Sequence, residues 1–258
     1  MWKRVRRAWN KRGPVGFARL AWQNVRYYAR LPFDSRIGRG QRFDHEFDNR
    51  YGTDTTGYVP IGALTVPAEH EDHAREYAPT DTLAFQAILA RLEIDHSRYV
   101  FIDVGSGKGR TLLLASDYPF KRIIGVEFAR EMHLVAVRNI AIYHSPTQKC
   151  TRLESVCADA VAFDLPDCPL VCFLNNPFDD VIMDKWLASL RRWAAGNLHG
   201  VYVVYHNCYH RALFDRSPHW QLVVEGGSMA VGDAFAIYQY IRESAPAVAS
   251  AAPEGVSA

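Results

Sequence analysis

The chain has 258 residues, with 30 Lys and Arg against 28 Asp and Glu and a formal net charge of +2. Its hydrophobic fraction of 48% and charged fraction of 22% exclude a disordered or fibrous chain, and its length accommodates one α/β core with an appendage. No apolar run is long enough to span a bilayer and no internal repeat is visible, while the five cysteines, at 150, 157, 168, 172 and 208, form no C-x-x-C pair, which argues against a zinc ribbon and suits a reducing, cytoplasmic compartment.

Residues 1–32 read as a basic amphipathic arm. The first 30 residues carry nine Lys or Arg and no acid, which leaves the rest of the chain net negative by about seven charges. Phe17, Leu20, Ala21, Asn24, Val25, Tyr28 and Leu31 fall on one helical stripe, and Trp2, Val5 and Trp9 begin a similar face before Gly13-Pro14 interrupts it. Such a helix can pack on its own domain with its charges solvated, lie peripherally on an anionic membrane, or meet nucleic-acid phosphates, the last being the least favoured. An Arg-rich, acid-free terminus also resembles an organellar transit peptide, whereas a secretory signal is not expected, because no uninterrupted apolar core follows the basic residues.

Residues 33–76 show no strong periodicity, yet Phe43-Asp44-His45-Glu46-Phe47-Asp48 and Tyr51-Gly52-Thr53-Asp54-Thr55-Thr56-Gly57 are too aromatic for a simple linker. This segment is expected to cap the acceptor side of a pocket built by residues further along the chain. His70-Glu71-Asp72-His73 has metal-binding side-chain types, but such clusters in polar loops are mostly solvated, and no metal is expected.

Tyr99 to Val104 is a continuous β-branched and aromatic run, the pattern of a buried parallel strand. It ends in Gly105-Ser106-Gly107-Lys108-Gly109-Arg110 and then a helix, Thr111 to Ala115. Glycines there let the backbone turn sharply and approach a ligand that a Cβ would repel, and the helix offers its unpaired N–H groups. A dinucleotide fingerprint needs G-x-G-x-x-G, but Gly109 comes one residue early and Arg110 stands where the third glycine belongs. A phosphate-cradling loop needs glycine at the position of Ile102 and a hydroxyl at that of Gly109. Both phosphate readings fail on spacing, which leaves either another kind of nucleoside site or a plain glycine-rich turn.

Arg122 to Glu127 is a second apolar run ending in a carboxylate, which can accept paired hydrogen bonds from ribose hydroxyls or serve as a helix N-terminal acid near Arg130. Arg130 to His144 places Met132, Val135, Ala136, Ile140 and Ile142 at mostly helical spacing. Leu153 to Asp159 reads as a third strand, and Asp159 could accept from the exocyclic amine of adenine or be an ordinary turn residue. Pro169 to Leu174 is a fourth buried strand that breaks into Asn175-Asn176-Pro177-Phe178. Amide and carbonyl oxygens at such a tip can orient an uncharged amine for direct displacement, and Phe178 can exclude water or face a cation; read in isolation, the segment is an Asn-Pro turn. Cys157 and Cys172 fall in strands and are expected as buried small hydrophobes.

Asp180 to Ala195 has Val181, Ile182, Trp186, Leu187, Leu190 and Trp193 at helical spacing, and Gly196-Asn197 supplies a stop. His199 to His206 is a fifth strand, Tyr209 to Asp215 a short helix, and Trp220 to Glu225 and Ala234 to Ile241 the last strands. The alternation predicts a mostly parallel sheet. The tail, 244–258, is expected to be disordered.

The order of these signals from Tyr77 to about Ile241 resembles the class I, seven-β-strand S-adenosylmethionine-dependent methyltransferases, with Asp103-x-Gly105-x-Gly107-x-Gly109 as their first motif. Within that superfamily, Tyr77-Ala78-Pro79-Thr80, followed by a helix and then this motif, is similar to the non-SET lysine methyltransferases, nucleosomal histone enzymes and archaeal and mitochondrial ones among them. The resemblance implies a Rossmann-like sheet over 77–243 with an antiparallel last strand. It also implies S-adenosylmethionine as cofactor, held by Tyr77, Thr80, Asp103, Val104, Gly105, Ser106, Gly107, Gly109, Arg110, Glu127, Phe128, Asp159, Ala160 and Asn175. Asp103 would take its amino group, Glu127 the ribose and Asp159 the adenine. Asn175, Asn176, Pro177 and Phe178 would line the acceptor, a protein lysine or another amine. Lys108 and the long stretch before Tyr77 depart from those families, so the acceptor does not carry over with the cofactor. A small-molecule or lipid methyltransferase at a membrane surface, and a non-catalytic membrane-associated scaffold that keeps the fold, stand as alternatives.

Overall fold

The computed structural model describes residues 45–59, 64, 77–230 and 232–242. The strands are β1 (Val100–Val104), β2 (Arg122–Glu127), β3 (Leu153–Cys157), β4 (Leu170–Asn175), β5 (Val201–His206), β6 (Trp220–Gly226) and β7 (Phe235–Tyr240). Helix α1 covers residues 45–51. After it come α2 (Thr82–Leu89), α3 (Arg110–Ala115), α4 (Arg130–Ile142), α5 (Asp180–Gly196) and α6 (Ala212–Asp215). One sheet holds all seven strands in the order β3-β2-β1-β4-β5-β7-β6. The first five run parallel, β7 lies antiparallel beside β5, and β6 pairs antiparallel with β7.

Central strands are mostly apolar because both of their faces are covered, with Asp103 and Glu127 set at or near strand ends. Every residue of β1 is buried. On one face Ile102 and Val104 join Cys172, Leu174, Trp186 and Leu190, so α5 covers that side. On the other, Phe101 joins Phe85, Leu112 and Phe173 under α2 and α3. The Phe85 ring meets Phe173 at a centroid distance of 5.3 Å and an angle of 64°, and burial of each such ring stabilises the fold by about 1.5–3 kcal/mol. Helices α2 and α5 begin where a side chain replaces a missing backbone partner. Asp81 accepts from the Ala84 N–H at 2.8 Å, and Asp179 from the Ile182 N–H at 3.1 Å.

Several sequence expectations shift. Cys172 is buried as expected, but Cys157 is exposed, because β3 is an edge strand whose residues are at most half-buried. Strand β3 ends at Cys157, two residues short of Asp159, and the expected helix from Tyr209 contracts to the single turn of α6. Val181 and Ile142 lie on exposed sides of their helices, at 45% and 48%. The basic arm, residues 1–32, the tail from 244 and His70 to His73 lie outside the described residues.

The strand order places β1 between β2 and β4, so chain connections leave β1 toward one side and β4 toward the other. In an open α/β sheet that arrangement opens a crevice at the carboxyl ends of the strands. Asp103, Glu127 and Asn175 all stand at that edge.

Candidate functional site

The loop after β1 turns through three left-handed glycines, with φ of 79° at Gly105, 53° at Gly107 and 85° at Gly109, which only glycine adopts without cost. Close approach is a second requirement. A Cβ on Gly105 would stand 2.6 Å from the Pro177 Cβ, and one on Gly107 would stand 2.2 Å from the Tyr77 ring. The missing side chains therefore admit Pro177 from the β4 tip and Tyr77 from the upstream segment.

One loop amide ties the β1 turn to the end of β2, and a second amide, just past β2, holds the same carboxylate. The Gly107 N–H donates to Glu127 Oε2 at 2.8 Å, and the Ala129 N–H donates to Glu127 Oε1 at 2.8 Å. Glu127 is 5% exposed and Asp103 is 3% exposed. Burial pushes the Glu127 carboxyl up to about 7 against the opposing effect of hydrogen bonds from the Ala129, Gly107 and Phe128 backbone. Burial, and then the nearby Glu127 carboxylate, push Asp103 up to about 8, with a hydrogen bond from Thr111 opposing. Each shift has desolvation of the charged form as its main cause.

Both carboxylates line one cavity with Tyr77, Thr80, Gly105, Ser106, Gly107, Arg110, Phe128, Asn175, Asn176, Pro177 and Phe178. Ser106 also lines it, and its Oγ, packed toward Gly125, is buried without a hydrogen-bond partner among the described residues. Of the residues expected in the site, Val104, Gly109, Asp159 and Ala160 do not line this cavity. Val104 is buried in the core, and Asp159 Oδ1 accepts from the Val161 N–H at 2.9 Å in a local turn. Leu64, Thr111 and Met132 line it without a role expected from the sequence; Met132 carried a signal, as an apolar residue in the first turn of α4.

The two cations of the loop face the upstream segment. Lys108 Nζ donates to Asp54 Oδ1 at 2.7 Å and to the Thr56 carbonyl at 2.6 Å. Arg110, 1% exposed, donates from Nε to Thr55 Oγ1 at 2.8 Å. Asn139, missed in the sequence, joins the same seam: its Nδ2 donates to the Asp54 and Lys108 carbonyls at 3.0 and 2.8 Å, and its Oδ1 accepts from the Asp54 N–H at 2.9 Å. Its signal was a polar residue on the Met132-Ala136 face of α4.

At the β4 tip the side chains are held from behind. Asn175 Nδ2 donates to Thr80 Oγ1 at 3.0 Å, and Asn175 Oδ1 accepts from Asn207 Nδ2 at 2.8 Å. Asn176, at φ 46°, accepts on Oδ1 from the Tyr205 hydroxyl at 3.1 Å. Phe178 is 7% exposed and belongs to both the core and the cavity wall.

No protein-family model matches the chain, and no curated protein sequence matches it. Solved structures do. The human methyltransferase 10 domain containing protein is 12% identical with a TM-score of 0.50, over 80% of this chain and 97% of that one. A putative methyltransferase from Escherichia coli, yhhF, is 19% identical with a TM-score of 0.45, over 70% of this chain and 92% of its own. An RNA methyltransferase from Salinibacter ruber, solved with S-adenosyl-L-homocysteine, is 18% identical with a TM-score of 0.43, over 66% and 97%. The sheet order and the first of these likenesses agree: the chain has the Rossmann-like, seven-stranded fold of the class I methyltransferases.

Proposed function

We propose that the protein is an S-adenosylmethionine-dependent methyltransferase. The observation that carries this reading is the pairing of two buried carboxylates, Asp103 and Glu127, on one cavity whose neighbouring cations are engaged by the upstream segment. A cavity of that character favours a ligand with a cationic end and sugar hydroxyls and disfavours one carrying phosphates.

The residues fit such a cofactor. Asp103 would accept hydrogen bonds from its ammonium group, the remaining lone pairs of Glu127 would accept from ribose hydroxyls, and the orphaned Ser106 hydroxyl offers a further partner. Phe128 and Met132 supply apolar wall for the base. When bound, the cofactor supplies an electrophilic methyl group on a sulfonium. An amine acceptor is favoured at the β4 tip, because the Asn175-Asn176 turn presents oxygens without a carboxylate, and Phe178 excludes water beside them. A protein lysine, the acceptor of the non-SET lysine enzymes that Tyr77 to Thr80 and the Asn-Asn-Pro-Phe turn resemble, is one candidate for that amine, to be tested rather than carried over.

Calorimetry with S-adenosylmethionine and with NAD tests the cofactor: binding of the first alone is expected, and NAD binding without an S-adenosylmethionine signal would sink the reading. Glu127→Ala should cost about 1.5–3 kcal/mol of cofactor binding, the range for hydrogen bonds to a charged group. Transfer of labelled methyl to separated protein, nucleic-acid, lipid and small-molecule fractions tests the acceptor. Label confined to nucleic acid or lipid would exclude the protein amine.

A further inference from the structure

We propose that Asp48 is a positioning residue for the cofactor site, acting through Thr55 to hold the Tyr77 ring over the glycine loop; the inference rests on the methyltransferase reading. Asp48 lies in α1, far from the cavity in sequence, and is 8% exposed. Its carboxylate collects the 53–56 turn almost entirely. Oδ1 accepts from the Thr53 and Thr55 hydroxyls at 2.7 and 2.6 Å. Oδ2 accepts from the Thr55 and Thr56 N–H groups at 2.8 and 2.7 Å and from the Thr56 hydroxyl at 2.6 Å. Burial opposes the charge, but these threonine hydrogen bonds outweigh it and hold the carboxyl below its ordinary value.

The turn so fixed is the platform for Tyr77. The Thr55 carbonyl accepts from the Tyr77 hydroxyl at 2.7 Å, and Val59 and Tyr77 exchange backbone hydrogen bonds as an isolated antiparallel bridge. Tyr77 is thereby held at both ends, by its backbone and by its hydroxyl. Its ring covers Gly107, where a Cβ would overlap it. From the other side the glycine loop grips the same turn: Arg110 reaches the Thr55 hydroxyl, with its guanidinium 4.8 Å from the Phe47 ring centroid and 4.0 Å from Asp48, and Lys108 reaches Asp54 and Thr56.

A carboxylate that only anchored α1 would have no reason to converge with two loop cations on the one carbonyl-bearing turn that orients a cavity-lining ring. Lys108, which departs from the resembled families, and Arg110 are both engaged by the 53–56 turn.

The test is a double-mutant cycle on the full chain, read as affinity for S-adenosylhomocysteine. Tyr77→Phe removes only the hydroxyl, and Asp48→Asn weakens the clamp on its acceptor. Each is expected to weaken binding about tenfold, the loss of roughly one hydrogen bond's worth of positioning, while the double variant loses no more than either single one. Amide exchange at Thr55 and Thr56 should slow when the wild type binds S-adenosylhomocysteine and stay fast in Asp48→Asn. Multiplying losses, or wild-type affinity in Asp48→Asn, overturns the proposal. Should Asp48→Asn fail to fold, Thr56→Val removes one of the hydrogen bonds by which Asp48 holds the turn, and the same non-additivity with Tyr77→Phe decides. A wild type that binds neither S-adenosylhomocysteine nor S-adenosylmethionine refutes the methyltransferase reading itself, and the proposal with it; binding with an additive cycle refutes the proposal alone.

Discussion

Asp103 and Glu127 owe their chemistry to where two neighbouring strands end. Each is almost wholly buried, and burial raises both above ordinary carboxyls, to about 8 and about 7. A ligand ammonium beside Asp103 favours the ionised form, so its binding must expel a proton that the free protein holds near neutrality. Cofactor affinity is therefore expected to rise between about pH 6 and 8, and calorimetry in buffers of different ionisation enthalpy should detect the released proton. Asp103→Asn should bind more weakly and show a smaller pH dependence, the part left being that of Glu127, which loses its proton near about 7. At the other side of the cavity, Asn175 is fixed by Thr80 and Asn207, which orients its carbonyl oxygen without any ligand present.

At the scale of elements, legibility tracked coverage. Strands β1, β2 and β4 stood out because sheet neighbours and helices enclose them, so they are almost wholly apolar up to their polar ends. Strand β3 was less legible: as an edge it carries Glu154, Ser155 and an exposed Cys157, and the sequence reading extends it too far. The insertion of β7 between β5 and β6 depends on pairing partners, which local composition does not encode; the antiparallel closing strand came from the resemblance. Within the site, Asp103, Glu127 and the β4 turn were readable because strand-to-loop transitions mark them. The Asp48 clamp was not, since threonines and an acid in a polar stretch give no local sign that a distant arginine meets them. Helix caps sit between these cases. Asp179 before α5 is a readable cap, and Asp179→Ala should lower stability by about 1 kcal/mol in urea unfolding, with cofactor affinity unchanged because it does not line the cavity.

For the whole molecule, the same buried groups set the dependence of stability on pH. Unfolded carboxyls lose their protons near pH 4, whereas Asp103 and Glu127 keep theirs in the fold up to about 8 and about 7. The folded state thus binds more protons across that window, and their contribution makes stability fall as pH rises through it. His206 acts in the opposite sense at the acid end. Burial, only partly offset by the Asp233 and Asp81 carboxylates, pushes it down to about 4, so it adds stability as pH rises from about 4 to about 6.5, where the unfolded imidazole has lost its proton. Of these three groups, the carboxylates alone act above about pH 6.5, and urea unfolding should show their contribution to stability declining toward about pH 8, with the decline flattened in Asp103→Asn and Glu127→Gln. The strand order has a further consequence, in the timing of synthesis. Strand β6 leaves the ribosome before β7, yet in the sheet it reaches β5 only through β7. Without Phe235 to Tyr240 in place, β5 would be an unfinished border with unpaired backbone donors and acceptors, so any sheet formed before that segment emerges would invite a stranger's strand.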